Sequence, residues 1–317
     1  MITAPMDVLR EFPIRKNRKQ KQAFRDAVQA YTRKLGYEPK IEKGPMGCRN
    51  IVLGDPDRAE YLVTAHYDTP PAMWLPNLVM PRNIVMFFLY QCLVVAVIIG
   101  VWIALTVLFG GFVMIGDDRT SLVAVPVYFA LMYLLMAGPA NRHNANDNTS
   151  GVVAVLETAA SMPPEYRDRV CFVLFDQEEL GLVGSAAYRK THKAAAARQI
   201  VLNMDCVGDG DEIWLFPSEK LRKNEELMVR LCSVTGYWGV KSVHVHQKGF
   251  CFYPSDQMGF PYGVGIGAFR RKKLIGIYYG RIHTFRDTIL DYTNITILRA
   301  ALVTLITRNP GDHQEEN

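Results

Sequence analysis

No Lys/Arg run in this 317-residue sequence is interleaved with aromatics, and the net charge is only +5. Together these exclude a nucleic-acid-binding surface. Cysteine is scarce and never at C-x-x-C spacing: Cys48, Cys92, Cys171, Cys206, Cys232 and Cys251 stand singly. Cys92 lies within an apolar run and Cys171 within an expected buried strand, so the sequence reads as carrying reduced thiols in a reducing compartment. Met1 to Gln22 is polar and basic and has no secretory apolar segment. There is no internal repeat and no low-complexity tract.

The most telling absence is local. From Asn83 to Gly116 no residue is charged. Ile84 to Leu108 is apolar on every face rather than striped, and long enough to cross a hydrocarbon core of about 30 Å. Gly110 and Gly111 are expected to mark its frayed end. After Asp117, Asp118 and Arg119, a second uncharged stretch runs from Ser121 to Gly138, close to the minimum spanning length of about 17 residues. Pro126 falls in its first turns, where a membrane helix tolerates it. The expectation is a two-helix transmembrane hairpin, residues 83–138, inserted into one discontinuous domain, 1–82 and 139–317. Both ends of the hairpin then emerge on one side of the membrane.

The remainder alternates strands with helices. A helix is expected over Lys16–Leu35, with Phe24, Val28, Tyr31 and Leu35 at helical spacing. Its basic opening (Arg15, Lys16, Arg18, Lys19, Lys21) reads as a solvated face, or alternatively as a contact for anionic lipid headgroups. Strands are expected near Lys40, at Asn50–Leu53, Glu60–Ala65, Arg169–Phe175, Ile200–Asp205 and Leu274–Tyr279. Helices are expected at Val152–Met162, Ser185–Ala197, Glu225–Cys232 and Asn294–Thr307. This order indicates an α/β fold: a mostly parallel mixed sheet sandwiched by helices.

Chemistry concentrates where those strands end. Asp176-Gln-Glu-Glu179 follows a β-branched and aromatic run, so its acids fall beyond the carboxyl end of a parallel strand, where ligands of α/β sheets sit. One of the adjacent glutamates can bind a metal while the other moves protons. His66, Asp147, Asp205 and His283 stand at similar junctions. With Glu179 they form a mixed imidazole and carboxylate set suited to zinc. Two histidines and three carboxylates can serve two ions about 3.5–4 Å apart if one carboxylate bridges, polarising a carbonyl and holding a hydroxide at neutral pH. Taken alone, Asp147 would simply cap the next helix.

As an ordered set, His66-Tyr-Asp68, Asp147-Asn-Thr-Ser-Gly151, Glu178-Glu-Leu-Gly-Leu-Val-Gly-Ser185, Asn203-Met-Asp205, Ser255-Asp256 and Ile282-His-Thr284 with Asp287 resembles the two-zinc aminopeptidase family. That family includes bacterial leucyl aminopeptidases and has glutamate carboxypeptidase and glutaminyl cyclase among its relatives. The resemblance spans roughly 15–75 and 140–310, everything but the hairpin. It implies His66 and Asp205 on one zinc, Glu179 and His283 on the other, and Asp147 bridging. It also implies Glu178 as general base and Asp68 orienting His66. Ser150 and Ser185 read as structural, and no serine or cysteine nucleophile is required.

The sequence departs from the family in places. Gln257 follows Asp256 where a histidine is common, and Phe252 and Tyr253 compete for an intermediate-stabilising position. His244 and His246 share one face of a strand and read as non-ligands. The function implied is a membrane-anchored dizinc peptidase, an aminopeptidase acting on peptide substrates. The alternatives are a glutaminyl-cyclase-like acyltransferase, which would use one zinc, and a non-catalytic receptor or adaptor like the related domain of the transferrin receptor. Arg82, Arg142 and the cluster from Arg15 to Lys21 flank the hairpin, whereas its connecting loop carries one positive charge. The positive-inside rule then puts the catalytic domain in the cytoplasm, on a cell membrane crossed twice.

Overall fold

The computed structural model describes residues 2–110 and 118–308. Helices α1 (Asp7–Glu11) and α2 (Arg18–Lys34) precede strands β1 (Lys40–Lys43), β2 (Arg49–Leu53) and β3 (Tyr61–His66). Two apolar helices follow, α3 (Ile84–Gly110) and α4 (Asp118–Ala137). The chain then returns through α5 (Gly151–Ser161), β4 (Val170–Phe175), α6 (Val183–Thr191), α7 (Lys193–Ala196) and β5 (Ile200–Met204). The last part holds β6 (Glu212–Pro217), α8 (Glu219–Arg222), α9 (Glu225–Cys232), β7 (Gly236–Trp238), β8 (Lys241–Val245), β9 (Tyr262–Lys272), β10 (Gly276–Tyr278) and α10 (Tyr292–Thr307).

The strands form one ten-stranded mixed sheet in the order β1-β2-β4-β3-β5-β9-β6-β8-β7, with β10 on β9. Its centre, β4-β3-β5-β9, is parallel, and antiparallel pairs flank that centre. Both faces of the centre are covered, which is why its strands read as continuous apolar runs. In β4, Val170, Phe172 and Leu174 join the large cluster shared with α2, α5 and α10, while Cys171, Val173 and Phe175 join a second cluster on the opposite face with Tyr188 of α6. Parallel register sets His66 opposite Phe175, so the residues after β3, β4 and β5 converge on one edge.

The sequence does not mark the long strand β9. Its Gly263, Gly265 and Gly267 weaken any strand signal, yet each is small for a reason. A Cβ at Gly265 would stand 2.6 Å from the Tyr253 ring, and one at Gly267 would stand 2.6 Å from the Tyr253 hydroxyl. The glycines admit the segment leading to Ser255 and Asp256. The helix expected over Ser185–Ala197 divides into α6 and α7 at His192.

Of the basic residues at the opening of α2, Arg15 and Lys21 are buried, whereas Arg18 and Lys19 keep the expected solvated face. Arg15 is fully buried, with its guanidinium on the carbonyls of Tyr67 (2.6 Å) and Phe12 (2.6 Å) and on the Thr149 hydroxyl (3.1 Å). Lys21 is buried against Asp176 at 2.5 Å. Partners distant in sequence consume these two charges, leaving Arg18 and Lys19 exposed.

In α3, Ile84–Phe109 is long and apolar enough to cross a membrane, its most apolar stretch having a mean hydropathy of 2.9 and no part of that stretch being buried. Within α4 the apolar segment is Ser121–Leu135, shorter than a span by that measure. Trp102 ties the two helices side by side, donating its indole N–H to the Ala124 carbonyl at 2.9 Å. The expected frayed end at Gly111 and the connecting loop with Asp117 lie outside the described residues, whereas Asp118 and Arg119 open α4.

Candidate active site

The carboxyl edge of the parallel strands holds a cleft of about 450 Å³ lined by His66, Asp147, Glu178, Glu179, Asp205 and His283, with Asp68 directly behind. The backbone passes through the left-handed region at Gln177, Cys206 and His283. Non-glycine residues adopt this conformation rarely and mostly where surrounding contacts demand it. Here it turns the chain beside Glu178, beside Asp205 and at His283 itself.

Asp147 is at the centre. Its Oδ1 lies 3.3 Å from His66 Nε2 and its Oδ2 lies 3.0 Å from His283 Nε2. Asp205 Oδ1 is 3.7 Å from the first imidazole nitrogen, and Glu179 Oε2 is 3.6 Å from the second. Two groups competent to hold a metal result, His66/Asp147/Asp205 and Asp147/Glu179/His283, and they share Asp147. A third, His66/Glu178/Glu179, overlaps them. All seven residues singled out from the sequence therefore meet at one place.

The loop carrying Asp147 is held from both sides. Asp287 accepts the amides of Asn146 (2.7 Å) and Asp147 (3.0 Å). The helix cap belongs to Asn148, not Asp147, since Asn148 Oδ1 accepts the Gly151 amide at 3.0 Å. Ser150 accepts the Val207 amide at 3.0 Å and donates to the Asn146 carbonyl at 2.7 Å, a structural role. Ser185 likewise bonds within its own turn. Asp176, the first acid of its triplet, is spent on Lys21 and the Arg49 amide.

Electrostatics match a site meant for cations. Burial pushes the Glu178 and Glu179 carboxyls well above their ordinary range, and neighbouring acids push the same way. Burial disfavours charge on His66, but Asp147, Asp205 and Asp68 outweigh it and raise its proton affinity. Against the effect of burial, the two imidazoles hold Asp147 below the usual carboxylate range. Buried Glu179 Oε1, His66 Nδ1 and His283 Nδ1 have no hydrogen-bond partner among the described residues. His66 Nδ1 is 3.5 Å from Asp68 Oδ1, long for a hydrogen bond. Crowded carboxylates and two imidazoles whose Nε2 atoms face them fit zinc.

Other residues resolve differently. Tyr253 donates its hydroxyl to the Asp205 carbonyl at 2.6 Å, and Phe252 packs against Phe87 of α3 with ring centroids 5.7 Å apart. The phenol ring on the cleft wall is Tyr279, which the sequence marks only as the end of a strand. Gln257 is buried and locked between Asn203 and the Tyr253 carbonyl. His244 stacks on Trp214 at 4.7 Å, and His246 bonds the Gly249 carbonyl at 3.1 Å, both away from the cleft. Asp256, buried with both oxygens unbonded among the described residues, carries a carboxyl that burial pushes up to about 7. Buried Asp287 is pushed up to about 8.

Comparison with known proteins agrees with this geometry. The model of peptidase family M28 matches residues 130–305, more than half of the chain. Among solved structures, the LapA aminopeptidase of Legionella pneumophila superposes with a TM-score of 0.56 at 14% identity, covering 96% of this chain and 70% of that one. LapB of the same organism gives 0.53 at 15% identity, covering 95% and 71%. A glutaminyl cyclase from Macrostomum lignano gives 0.51 at 13%, covering 96% and 87%. At these identities the likeness is one of fold. No curated protein sequence matches the chain. The chain belongs to peptidase family M28 and is a zinc-dependent peptidase acting on peptide substrates.

Proposed function

We propose that this protein is a membrane-anchored dizinc aminopeptidase. The observation carrying the count of two is Asp147, whose two oxygens face different imidazoles at 3.3 and 3.0 Å. In this reading His66 and Asp205 would hold one zinc, Glu179 and His283 would hold the other, and Asp147 would serve both. Zinc there supplies Lewis acidity toward the scissile carbonyl and lowers the pKa of water. Glu178, open to the same cleft, takes the proton of the attacking water and returns it to the leaving amine. Asp68 fixes the Glu178–Glu179 backbone and orients His66. Tyr279 presents its phenol to the tetrahedral oxygen, and burial, by raising its pKa well above the ordinary value, keeps the donor proton in place.

Residues 1–82 and 139–317 act as the peptidase domain, and 83–138 as a hairpin crossing a cell membrane twice with the catalytic side in the cytoplasm. Support comes from the span-length α3 and from Arg82 and Arg142 at the flanks. An adaptor would have no need of Glu178 and five ligand-type side chains in one cleft, and a single-zinc cyclase would have no need of both histidine groups.

Metal analysis combined with amino-acyl and N-acetylated reporter peptides tests this reading. Two zinc ions per chain and preference for the free amine are expected. Glu178→Gln should keep metal while activity falls at least about 10²-fold, whereas Asp147→Ala should lose both. One ion per chain, or near-normal turnover in Glu178→Gln, overturns the assignment. Faster cleavage of blocked peptides removes the aminopeptidase label alone.

A further inference from the structure

The apolar helix α3 starts at the metal cleft. Phe87 and Gln91, one turn apart, line that cleft with His66, Glu178 and His283. On a helix, positions 87, 91, 94, 98 and 101 fall on one face. Beyond Gln91 the same face borders a cavity of about 410 Å³, where Val94, Ile98 and Val101 meet Met73 and Leu131. Met73, on the wall of that cavity, donates its amide to the carbonyl of His283, on the wall of the cleft, at 2.7 Å.

Gln91 is out of character for a helix that is uncharged throughout and apolar enough to cross a membrane. It is half-buried, and no hydrogen bond engages its amide among the described residues. A primary amide on a membrane helix is costly unless it meets water or a partner. This one meets the cleft. Gln91 lies seven residues past Ile84, about 10 Å along the helix axis, so the cleft reaches to the shallow end of the span. Side chains of interfacial type stand near the start of the helix: Tyr90 bonds the Pro76 carbonyl, and Arg82, just before α3, lies 4.8 Å over the Trp214 ring.

We propose that α3 is a wall of the peptide site. Gln91 pairs with the main chain of the substrate, and Phe87 packs on an apolar side chain in the cleft. The enzyme thereby selects free-amine peptides with apolar residues at the bilayer surface. This rests on the peptidase reading above and names the substrate class for the same site.

The test uses the full chain in detergent or lipid nanodiscs. Gln91→Leu, which keeps the helix apolar, should raise KM about tenfold with kcat within about twofold, the loss of one uncharged hydrogen bond. Phe87→Ala should cut the ratio of kcat/KM for an apolar over a polar peptide about tenfold. Unchanged KM and unchanged selectivity in both variants overturn the proposal. A second readout does not depend on turnover: in Glu178→Gln, benzoylphenylalanine in place of Phe87 should photo-crosslink a biotinylated leucyl peptide, and excess unlabelled peptide should abolish the adduct. An absent or uncompeted adduct overturns the proposal. If the wild type hydrolyses no peptide, the reaction itself is wrong, while the competed crosslink still decides whether α3 borders a peptide site.

Discussion

Asp68 holds the backbone of Glu178. Its Oδ1 accepts the Glu178 amide at 3.0 Å, its Oδ2 accepts the Glu179 amide at 3.3 Å, and its Oδ1 also faces His66 Nδ1. One carboxylate thus aligns the end of β3 with the turn after β4.

Asp68→Asn breaks this alignment without emptying the space. A primary amide has one acceptor oxygen where the carboxylate has two, so one glutamate amide or the imidazole loses its partner. The expected outcome is a 10- to 100-fold loss, roughly, in activity or zinc affinity, measured as kcat/KM and by zinc titration against a chelator. Full activity with unchanged affinity would strip Asp68 of its orienting role.

Asp256 gives a pH signature to the metal-free protein. Burial raises its carboxyl from 3.8 to about 7. For a group raised on folding, the stabilising contribution is complete below the unfolded value and disappears as pH climbs through the folded one. The thermal midpoint of the metal-free protein should therefore fall as pH rises from about 4 to about 7, with buried Asp287, raised to about 8, extending the decline. Asp256→Asn should flatten the lower part of that slope. An equally steep slope in the variant would refute the assignment.

Much of the site was legible because its residues follow strands with strong apolar patterns, and because register alone puts His66 beside Phe175. What escaped depends on contacts distant in sequence. Lys21 looks solvated like its neighbours Arg18 and Lys19 until Asp176, 155 positions on, is brought to 2.5 Å. Strand β9 looks like a loop because its glycines make room for Tyr253, which only the fold delivers. Asp287 is marked by the motif around His283, but its role, clamping the amides of Asn146 and Asp147, has no local sign.

Lys21→Met measures how much that hidden pair matters. Asp176 has a side-chain exposure of 2%, and Lys21 supplies its charge partner. Removing one member of a buried pair costs about 3–5 kcal/mol. A large drop in thermal midpoint is expected, and partial recovery in the double variant Lys21→Met/Asp176→Asn. A shift within error in the single variant would mean that water replaces the lysine.

Orientation is tested with a Cys-free protein carrying Thr120→Cys or Glu219→Cys. In intact cells, a membrane-impermeant thiol reagent is expected to label the first variant and spare the second. The opposite pattern places the peptidase outside. Labelling of both only after lysis removes the hairpin crossing altogether.

Strand β3 lies between β4 and β5, and both of those are encoded after the apolar helices. When the first 83 residues have left the ribosome, the central strand has neither neighbour, and His66 has met none of Asp147, Glu179, Asp205 or His283. Order of synthesis therefore makes disposal of the greasy segment an early event and assembly of the catalytic centre a late one. A defect in handling α3 and α4 during translation should appear as missing folded peptidase, not as active peptidase in the wrong place.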